Sequence, residues 1–366
     1  MISPDIDRRT FAALLMSTAV ATPVRFAQAG NTLSIRMDYA GAEALLAAVQ
    51  RRDITDTGID RLLSIRGVRA MVANTTKYLP KDTAEVFRAA LKEFITTGKV
   101  THGHFGLSGI AAHEADARAA IAALRSDVTL ATEITAPIKP YQPATGPLIA
   151  TIYCVAGGAS DGFVLDGDPE PAFFMAIDRS KGDVNGAKLN MTHELYHVAQ
   201  RAARGRAPNP ALRGFNQSSG TPPVRLLTTV LEEGTAVYVA EPMLAHGSGP
   251  YISEWRAGYA KNKPASSIAA NFALFDHLLA NLTAGSMKWE TAYEKGFSNR
   301  APPLYFVGYE MTKALDRAYG HARIGAYFQE HPATFFKDYI ALYRERPDAV
   351  RARFSVEMER TISSFG

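Results

Sequence analysis

Cysteine is nearly absent from this chain, because Cys154 is its one thiol in 366 residues. A single cysteine excludes any intrachain disulfide, so stability must come from a buried core. Cys154 lies inside the apolar stretch LIATIYCVA and is expected to belong to that core. A strong charge of either sign is absent too, since 40 Lys and Arg residues stand against 36 Asp and Glu residues. We expect no nucleic-acid partner for a chain whose positive excess is so small and scattered.

The N-terminal stretch lacks the run of about 20 apolar residues that a membrane anchor needs. DRRTF at 7–11 opens a shorter run of small and apolar residues, and FAQA at 26–29 closes the stretch with an A-x-A ending. This layout is typical of a cleaved secretory signal. The arginine pair, with Phe11 two positions after it, resembles a bacterial twin-arginine export signal. We therefore predict that residues 1–29 are a signal peptide. The protein is then exported, to the periplasm or the medium, without stable membrane insertion.

Two long regions of the remaining chain have helical periodicity. Residues 30–145 are rich in Ala, Leu and charged residues at helical spacing and are predicted to form an N-terminal helical region. The stretch TAPIKPYQPATGPL at 135–148 breaks helix and marks the boundary of this region. Residues 246–366 are again helical in pattern to the end of the chain, and no fixed-period repeat interrupts them.

The middle region, 146–245, contains the strand-like sequences. They are LIATIYCVA at 148–156, GFVLDG at 162–167 and AFFMAID at 172–178, separated by Gly, Asp and Pro clusters. Two predicted helices follow at 188–204 and 224–241, joined by a long loop rich in Gly, Pro and Arg. We expect a predominantly helical α+β fold. A small, mostly antiparallel sheet lies next to the helix at 188–204, and helical regions flank this core.

The predicted helix at 188–204 contains the sequence HELYH. On an α-helix, His193 and His197 lie one turn apart on the same face, so both imidazoles can bind one metal ion. Glu194 lies beside them, close enough to hold a water molecule of the ion without binding the ion itself. The motif is therefore a candidate metal-binding helix.

A catalytic zinc ion normally has three protein ligands and an open position for water, so a third donor is expected downstream. The residues after His197 read VAQRAARG and lack the further Gly and His of the metzincins. On the next predicted helix, residues 231–236 read LEEGTA. This segment resembles the N-E-G-x-A segment of gluzincin peptidases, in which the Glu before Gly is a zinc ligand.

HELYH followed by EEGTA is similar to the gluzincin zinc metallopeptidases, and especially to uncharacterised families described only as zinc-dependent peptidases. The resemblance implies that Glu233 is the third zinc ligand, with Glu232 as its outward neighbour or a partner behind the ligands. It implies Zn²⁺ as the cofactor and a peptide or protein as the substrate. It also implies hydrolysis by a zinc-activated water with Glu194 as the general base.

Gluzincin aminopeptidases and their relatives also carry a tyrosine, in a Y-x-x-G segment, that donates a hydrogen bond to the tetrahedral oxyanion. Two segments of this chain match, YEKG at 293–296 and YFVG at 305–308. We favour Tyr305, because its segment runs into a helix-forming sequence whereas the first runs into SNRAPP. Tyr293 and Tyr309 remain alternatives.

Two parts of the family pattern stay open. The E-x-x-x-D spacing of thermolysin-like enzymes is absent, since Val237 stands four positions after Glu233. The group that orients the imidazoles is therefore not identified. In this family the sheet next to the HExxH helix presents an edge strand to the peptide, and either GFVLDG or AFFMAID fits that description.

Rival functions are also compatible with parts of the sequence. Ser160 in GASDG matches the G-x-S-x-G motif of serine hydrolases, but such an elbow joins a strand to a helix, and FVLDGDPEP follows here. A non-catalytic exported helical protein, which binds zinc structurally or binds a partner, is another alternative. Structural zinc sites, however, usually have four ligands and favour Cys. The acidic turn DGDPE at 166–170 lacks the Gly that a calcium loop of the EF-hand type requires.

Overall fold

The computed structural model describes residues 32–365 except Arg52, 144–145, Asp166, 214–218 and 299–300. The predicted signal peptide, residues 1–29, lies outside the described residues. The described residues belong to one compact unit, Asn31–Gly366, and none of their helices is long and apolar enough to cross a membrane. The boundaries predicted at 145 and 245 stay predictions.

Four strands and sixteen α-helices are formed by the residues that the structure describes. The strands are β1 (Leu33–Asp38), β2 (Leu148–Val155), β3 (Gly162–Phe163) and β4 (Ala172–Ala176). The helices between β1 and β2 are α1 (Ala40–Ala48), α2 (Asp56–Ser64), α3 (Arg66–Tyr78), α4 (Ala84–Thr97), α5 (Leu107–Ala112), α6 (Glu114–Ser126) and α7 (Leu130–Thr135). After β4 come α8 (Val184–Gly205), α9 (Pro222–Val239), α10 (Pro250–Asn262), α11 (Ala265–Thr283), α12 (Trp289–Phe297), α13 (Pro303–Tyr319), α14 (His321–Ala326), α15 (Ala333–Glu345) and α16 (Val356–Ser363).

The four strands form one mixed sheet in the order β1-β2-β4-β3. β1 pairs in parallel with β2, from Leu33 opposite Leu148 to Asp38 opposite Tyr153, and β2 pairs in parallel with β4. The pairing of β3 with β4 is antiparallel. The expectation of a mostly antiparallel sheet is therefore wrong, whereas the predominantly helical α+β class is confirmed.

The parallel pairings have a topological reason. No strand is predicted from the sequence at β1, which pairs with β2 across the crossover formed by α1–α7. Parallel neighbours require a long crossover of this kind. β4 lies between β2 and β3, and all five of its residues are buried. A strand covered in this way has a continuous apolar sequence rather than an alternating one, as AFFMA does. Cys154 of β2 is buried as expected.

Helix α8 is anchored both to the sheet and to α10. It packs against β2 and β4, and Leu195 on its apolar stripe is fully buried. The carboxylate of Asp183, just before the helix, accepts hydrogen bonds from the N–H of Gly186 (2.8 Å) and from the N–H of Ile252 in α10 (3.0 Å). One side chain thus satisfies donors at the beginning of two helices, where no carbonyl of the helix itself is available.

Helices α9 and α13 cross in backbone contact at two glycines. A Cβ atom placed on Gly308 would lie 2.2 Å from the carbonyl oxygen of Val230, and one on Gly234 would lie 2.3 Å from the Cα atom of Gly308. Atoms in folded proteins do not approach so closely, so both positions require glycine. Since Glu233 precedes Gly234 and Tyr305 lies one helical turn before Gly308, this crossing also sets the positions of those two side chains.

Gly308→Ala is expected to lower the free energy of unfolding by about 1–3 kcal/mol, because the added methyl group forces the two helices apart. Gly109→Ala is the control, since Gly109 is also helical but has no atom within 4 Å of the added Cβ. The control should be neutral or stabilising by up to about 1 kcal/mol through helix propensity. Urea denaturation of both variants measures the difference, and equal effects would contradict a tight crossing.

Candidate metal centre

Three side chains from two helices converge on one point. His193 and His197 lie one turn apart on α8, and Glu233 lies on α9. The Nε2 atoms of the two imidazoles are 3.1 Å apart. The Oε2 atom of Glu233 lies 3.4 Å from Nε2 of His193 and 3.3 Å from Nε2 of His197. The structure thus brings the three residues together in a nearly equilateral triangle of donor atoms.

The size of this triangle fits a tetrahedral zinc ion. Zinc binds His nitrogen and carboxylate oxygen at about 2.0–2.1 Å, which places neighbouring ligand atoms roughly 3.3–3.4 Å apart in a tetrahedron. The observed edges of 3.1, 3.3 and 3.4 Å lie at or just below that range. Among the described residues, the group of His, Cys, Asp or Glu side chains placed to hold one metal ion together consists of His193, His197 and Glu233.

The electrostatics of the triangle favour a bound positive charge. Burial opposes the charged imidazolium of His197, yet the neighbouring carboxylate of Glu233 raises the pKa of that imidazole to about 9. Burial likewise opposes ionisation of Glu233, but the two imidazoles hold the pKa of its carboxyl group well below the usual range. The three groups thus favour a positive charge between them, such as a proton. A divalent cation would satisfy the same groups with more charge.

Glu194 shares a cavity with the triangle. The cavity has a volume of about 240 Å³ and is lined by the three clustered residues together with Glu194, Gly162 and Tyr305, among others. Burial raises the pKa of the Glu194 carboxyl group, and the two imidazoles partly offset that effect. A Cβ atom on Gly162, which begins β3, would lie 2.8 Å from the Oε1 atom of Glu194. The absence of a side chain at Gly162 therefore leaves room for this carboxylate.

The three candidate tyrosines lie in different surroundings. The ring of Tyr305 lines the cavity and lies nearly parallel to the ring of His193, with 6.4 Å between their centroids. Burial, the nearby charge of Glu233 and a hydrogen bond to that carboxylate raise the pKa of Tyr305 well above its ordinary value. Tyr293 lines the same cavity. The hydroxyl group of Tyr309 instead donates a hydrogen bond to Glu241 of the loop after α9.

Glu232, the neighbour of Glu233, has a different partner. Its carboxylate accepts a hydrogen bond from Nη2 of Arg204 on α8, at 3.2 Å, and both side chains are almost completely buried. Adjacent residues on a helix point about 100° apart, so the two glutamates cannot exchange roles. Glu232 therefore joins α9 to α8 by an ion pair, and the description of this residue as an outward neighbour is wrong.

Gln200 contacts His197 and was not identified from the sequence. It lies on α8 three positions after His197, and its Oε1 atom is 2.8 Å from Nδ1 of that imidazole. Its amide nitrogen donates hydrogen bonds to the carbonyl oxygen of Glu232 (3.1 Å) and to Oγ1 of Thr235 (2.9 Å). The only signal in the sequence is a polar residue one turn after His197, and this spacing is common on helices.

The surroundings of Ser160 do not form a nucleophile elbow. GASDG connects β2 to β3, so a strand and not a helix follows the serine. The hydroxyl group of Ser160 accepts a hydrogen bond from the amide of Asn74 at 2.8 Å. In the acidic turn, Asp168 and Glu170 contact the guanidinium group of Arg66 at 2.7 and 3.1 Å, so these two carboxylates already have a cationic partner.

Residues 59–348 match the sequence profile of a protein family that is described as "Putative zinc dependent peptidase (DUF5700)". The match covers more than half of the chain, and the chain therefore belongs to this family. The resemblance to a zinc-dependent peptidase family is confirmed, as is the expectation of zinc as the cofactor. The narrower gluzincin grouping stays a prediction. Comparisons with curated proteins and with solved structures found no match.

Proposed function

We propose that this protein is a zinc metallopeptidase that binds zinc through His193, His197 and Glu233. The observation that carries the proposal is the triangle of donor atoms, whose edges of 3.1–3.4 Å fit the ion that the family description names. The cavity beside the triangle supports catalysis rather than a closed structural site, because a structural zinc ion is usually enclosed by four protein ligands.

Zinc, when bound, polarises a water molecule and lowers its pKa toward about 7, which supplies a nucleophile for peptide hydrolysis near neutral pH. Two neutral imidazoles and one carboxylate leave such an ion with a net positive charge. The chain must then provide a proton acceptor beside the water, a donor for the oxyanion and a surface that holds the peptide.

Glu194 is the proposed general base. Its carboxylate adjoins the triangle inside the same cavity, and its pKa is raised by burial, which makes the group a better proton acceptor than an exposed glutamate. The carboxylate accepts a proton from the attacking water as the new C–O bond forms. It returns that proton to the amide nitrogen as the C–N bond breaks, so that an amine and a carboxylic acid leave.

Tyr305 is the proposed oxyanion donor. When the water attacks, the carbonyl oxygen of the peptide gains negative charge, and a hydroxyl group already placed in the cavity can donate a hydrogen bond to it. A phenol whose pKa is raised keeps its proton at neutral pH and therefore remains a donor. Tyr309 is less suitable, because its hydroxyl group is bonded to Glu241 and also lies 2.8 Å from the hydroxyl group of Tyr259.

The edge of β3 is the proposed binding surface for an extended peptide. β4 has a strand on each side, whereas β3 is outermost in the sheet order, so β3 is the better candidate of the two segments considered from the sequence. Gly162 and Phe163 of β3 both line the cavity. A peptide added to this edge would form main-chain hydrogen bonds next to Glu194, a mode of recognition that does not depend on one side chain.

Glu194→Gln is expected to keep zinc and to lose at least about 10²-fold in kcat, because the amide cannot accept the proton. Glu233→Ala should instead lose most of its bound zinc. Zinc content by mass spectrometry and cleavage of a casein substrate measure the two effects. Inhibition by o-phenanthroline but not by a fluorophosphonate separates this reaction from one that uses Ser160. Full activity of Glu194→Gln would remove that residue from its role.

Tyr305→Phe is expected to lower kcat by roughly 10²–10³-fold with little change in zinc content, because one oxyanion donor is removed. Tyr293→Phe is the matched comparison, since Tyr293 lines the same cavity, whereas the ring of Tyr305 also lies parallel to the ring of His193. Its effect on kcat should be much smaller. If Tyr293→Phe were the more damaging substitution, the roles of the two tyrosines would be reversed.

Export by a twin-arginine route is also part of the proposal, and it is supported by the arginine pair and the A-x-A ending of the N-terminal stretch. In a bacterial host, the exported product should begin at Gly30. Joint replacement of Arg8 and Arg9 by Lys should keep the protein in the cytoplasm, whereas Arg25→Lys should not. An exported product that still begins at Met1 would contradict cleavage, and export of the double variant would contradict the route.

A further inference from the structure

The side chain of Gln200 bridges the two helices that carry the clustered residues. It is 1% exposed, and it contacts Nδ1 of His197 on one side. On the other side it contacts the carbonyl oxygen of Glu232 and the hydroxyl group of Thr235, both on α9. Glu232 is adjacent to Glu233, so the bridge ends on the helical turn that carries the proposed third ligand.

Only one arrangement of hydrogens satisfies this network. The hydroxyl group of Thr235 can donate its proton to the carbonyl oxygen of Leu231 (2.7 Å) or of Glu232 (3.1 Å), and in either case it accepts from Gln200. The carbonyl oxygen of Glu232 can also only accept. The NH₂ group of Gln200 must therefore face α9, and its Oε1 atom must face His197. Rotating the amide by 180° would place an oxygen 3.1 Å from a carbonyl oxygen.

The orientation of the amide determines the tautomer of His197. Because Oε1 of Gln200 is an acceptor, Nδ1 of His197 must carry a proton and donate it. In the neutral imidazole the lone pair is then on Nε2, the atom that faces Glu233 and His193. The backbone of α9 thus selects, through one buried amide, which nitrogen of His197 can bind a metal ion.

We propose that Gln200 is a positioning residue that holds His197 in its metal-binding tautomer and holds the Glu233 turn of α9 in register with α8. The inference rests on the proposed zinc site. In the absence of this amide, zinc binding must select one tautomer from a mixture and must order the two helices relative to each other. Both costs reduce affinity, and loss of a hydrogen-bond partner behind a metal ligand typically weakens metal binding by about 10–100-fold.

Two substitutions separate the parts of this role. Gln200→Met has a similar length and removes both halves of the bridge, so the dissociation constant for Zn²⁺ should rise about 10–100-fold. Gln200→Glu keeps an acceptor for Nδ1–H of His197 but places an oxygen against the carbonyl oxygen of Glu232, so it should keep the Nδ1–H tautomer while it weakens the contact with α9. Zinc affinity is measured on the full chain by competition with a chromophoric chelator.

Thr235→Val and Thr228→Val form a matched pair. Each threonine is fully buried on α9 and donates to the carbonyl oxygen four residues before it, Leu231 or Val224, but only Thr235 is also bonded to Gln200. Thr235→Val should weaken zinc binding to a value between those of the wild type and Gln200→Met, and Thr228→Val should not change it. This pair also tests the proposal if Gln200→Met does not fold.

A spectroscopic measurement tests the tautomer directly. In zinc-free protein, at the alkaline end of a pH titration followed by NMR, the imidazole ¹⁵N shifts of His197 should show the Nδ1–H form in the wild type. In Gln200→Met the same shifts should move toward a mixture of tautomers. Unchanged shifts and a zinc affinity within twofold of the wild type, with an unchanged melting temperature, would overturn the inference. If the wild type itself does not bind zinc at this cluster, the proposed function fails instead.

Discussion

Three lone-pair donors that converge within 3.4 Å inside a protein repel one another unless a positive charge lies between them. The remaining features of this region hold that arrangement in place. The ion pair of Arg204 with Glu232, the amide of Gln200 and the glycine crossing of α9 with α13 all act on the helix that carries Glu233. The site therefore depends on the register between α8 and α9 as well as on its three candidate ligands.

The crossing of α9 with α13 also connects the two halves of the proposed chemistry. Gly234 follows Glu233 directly, and Gly308 ends the YFVG segment that begins with Tyr305. Because the two backbones touch there, the crossing fixes the segment that carries Tyr305 relative to the turn that carries Glu233. The glycine of EEGTA is therefore explained by packing against a helix about 70 residues further along the chain.

Helical periodicity was enough to predict the predominantly helical class and to place His193 and His197 on one face, whereas Glu233 was identified through the resemblance of EEGTA to the gluzincin segment. The helical patterns around it did not lead to β1, although LSIRMD alternates apolar with polar residues as a half-buried strand does. They could not identify Gln200 or the partner of Glu232, because both contacts join helices that are separated by a long loop. Local sequence determines which face of a helix a residue occupies, whereas the element that packs on that face is determined by the tertiary fold.

The most direct test of the account is a crystal structure of the purified protein grown with Zn²⁺, with diffraction data collected on both sides of the zinc absorption edge. We expect one anomalous peak per chain at about 2.0–2.2 Å from Nε2 of His193, Nε2 of His197 and a carboxylate oxygen of Glu233. A fourth position of that ion should open into the cavity that contains Glu194. A zinc peak bound elsewhere in the fold, or a Glu233 carboxylate turned away from both imidazoles with zinc present, would contradict it.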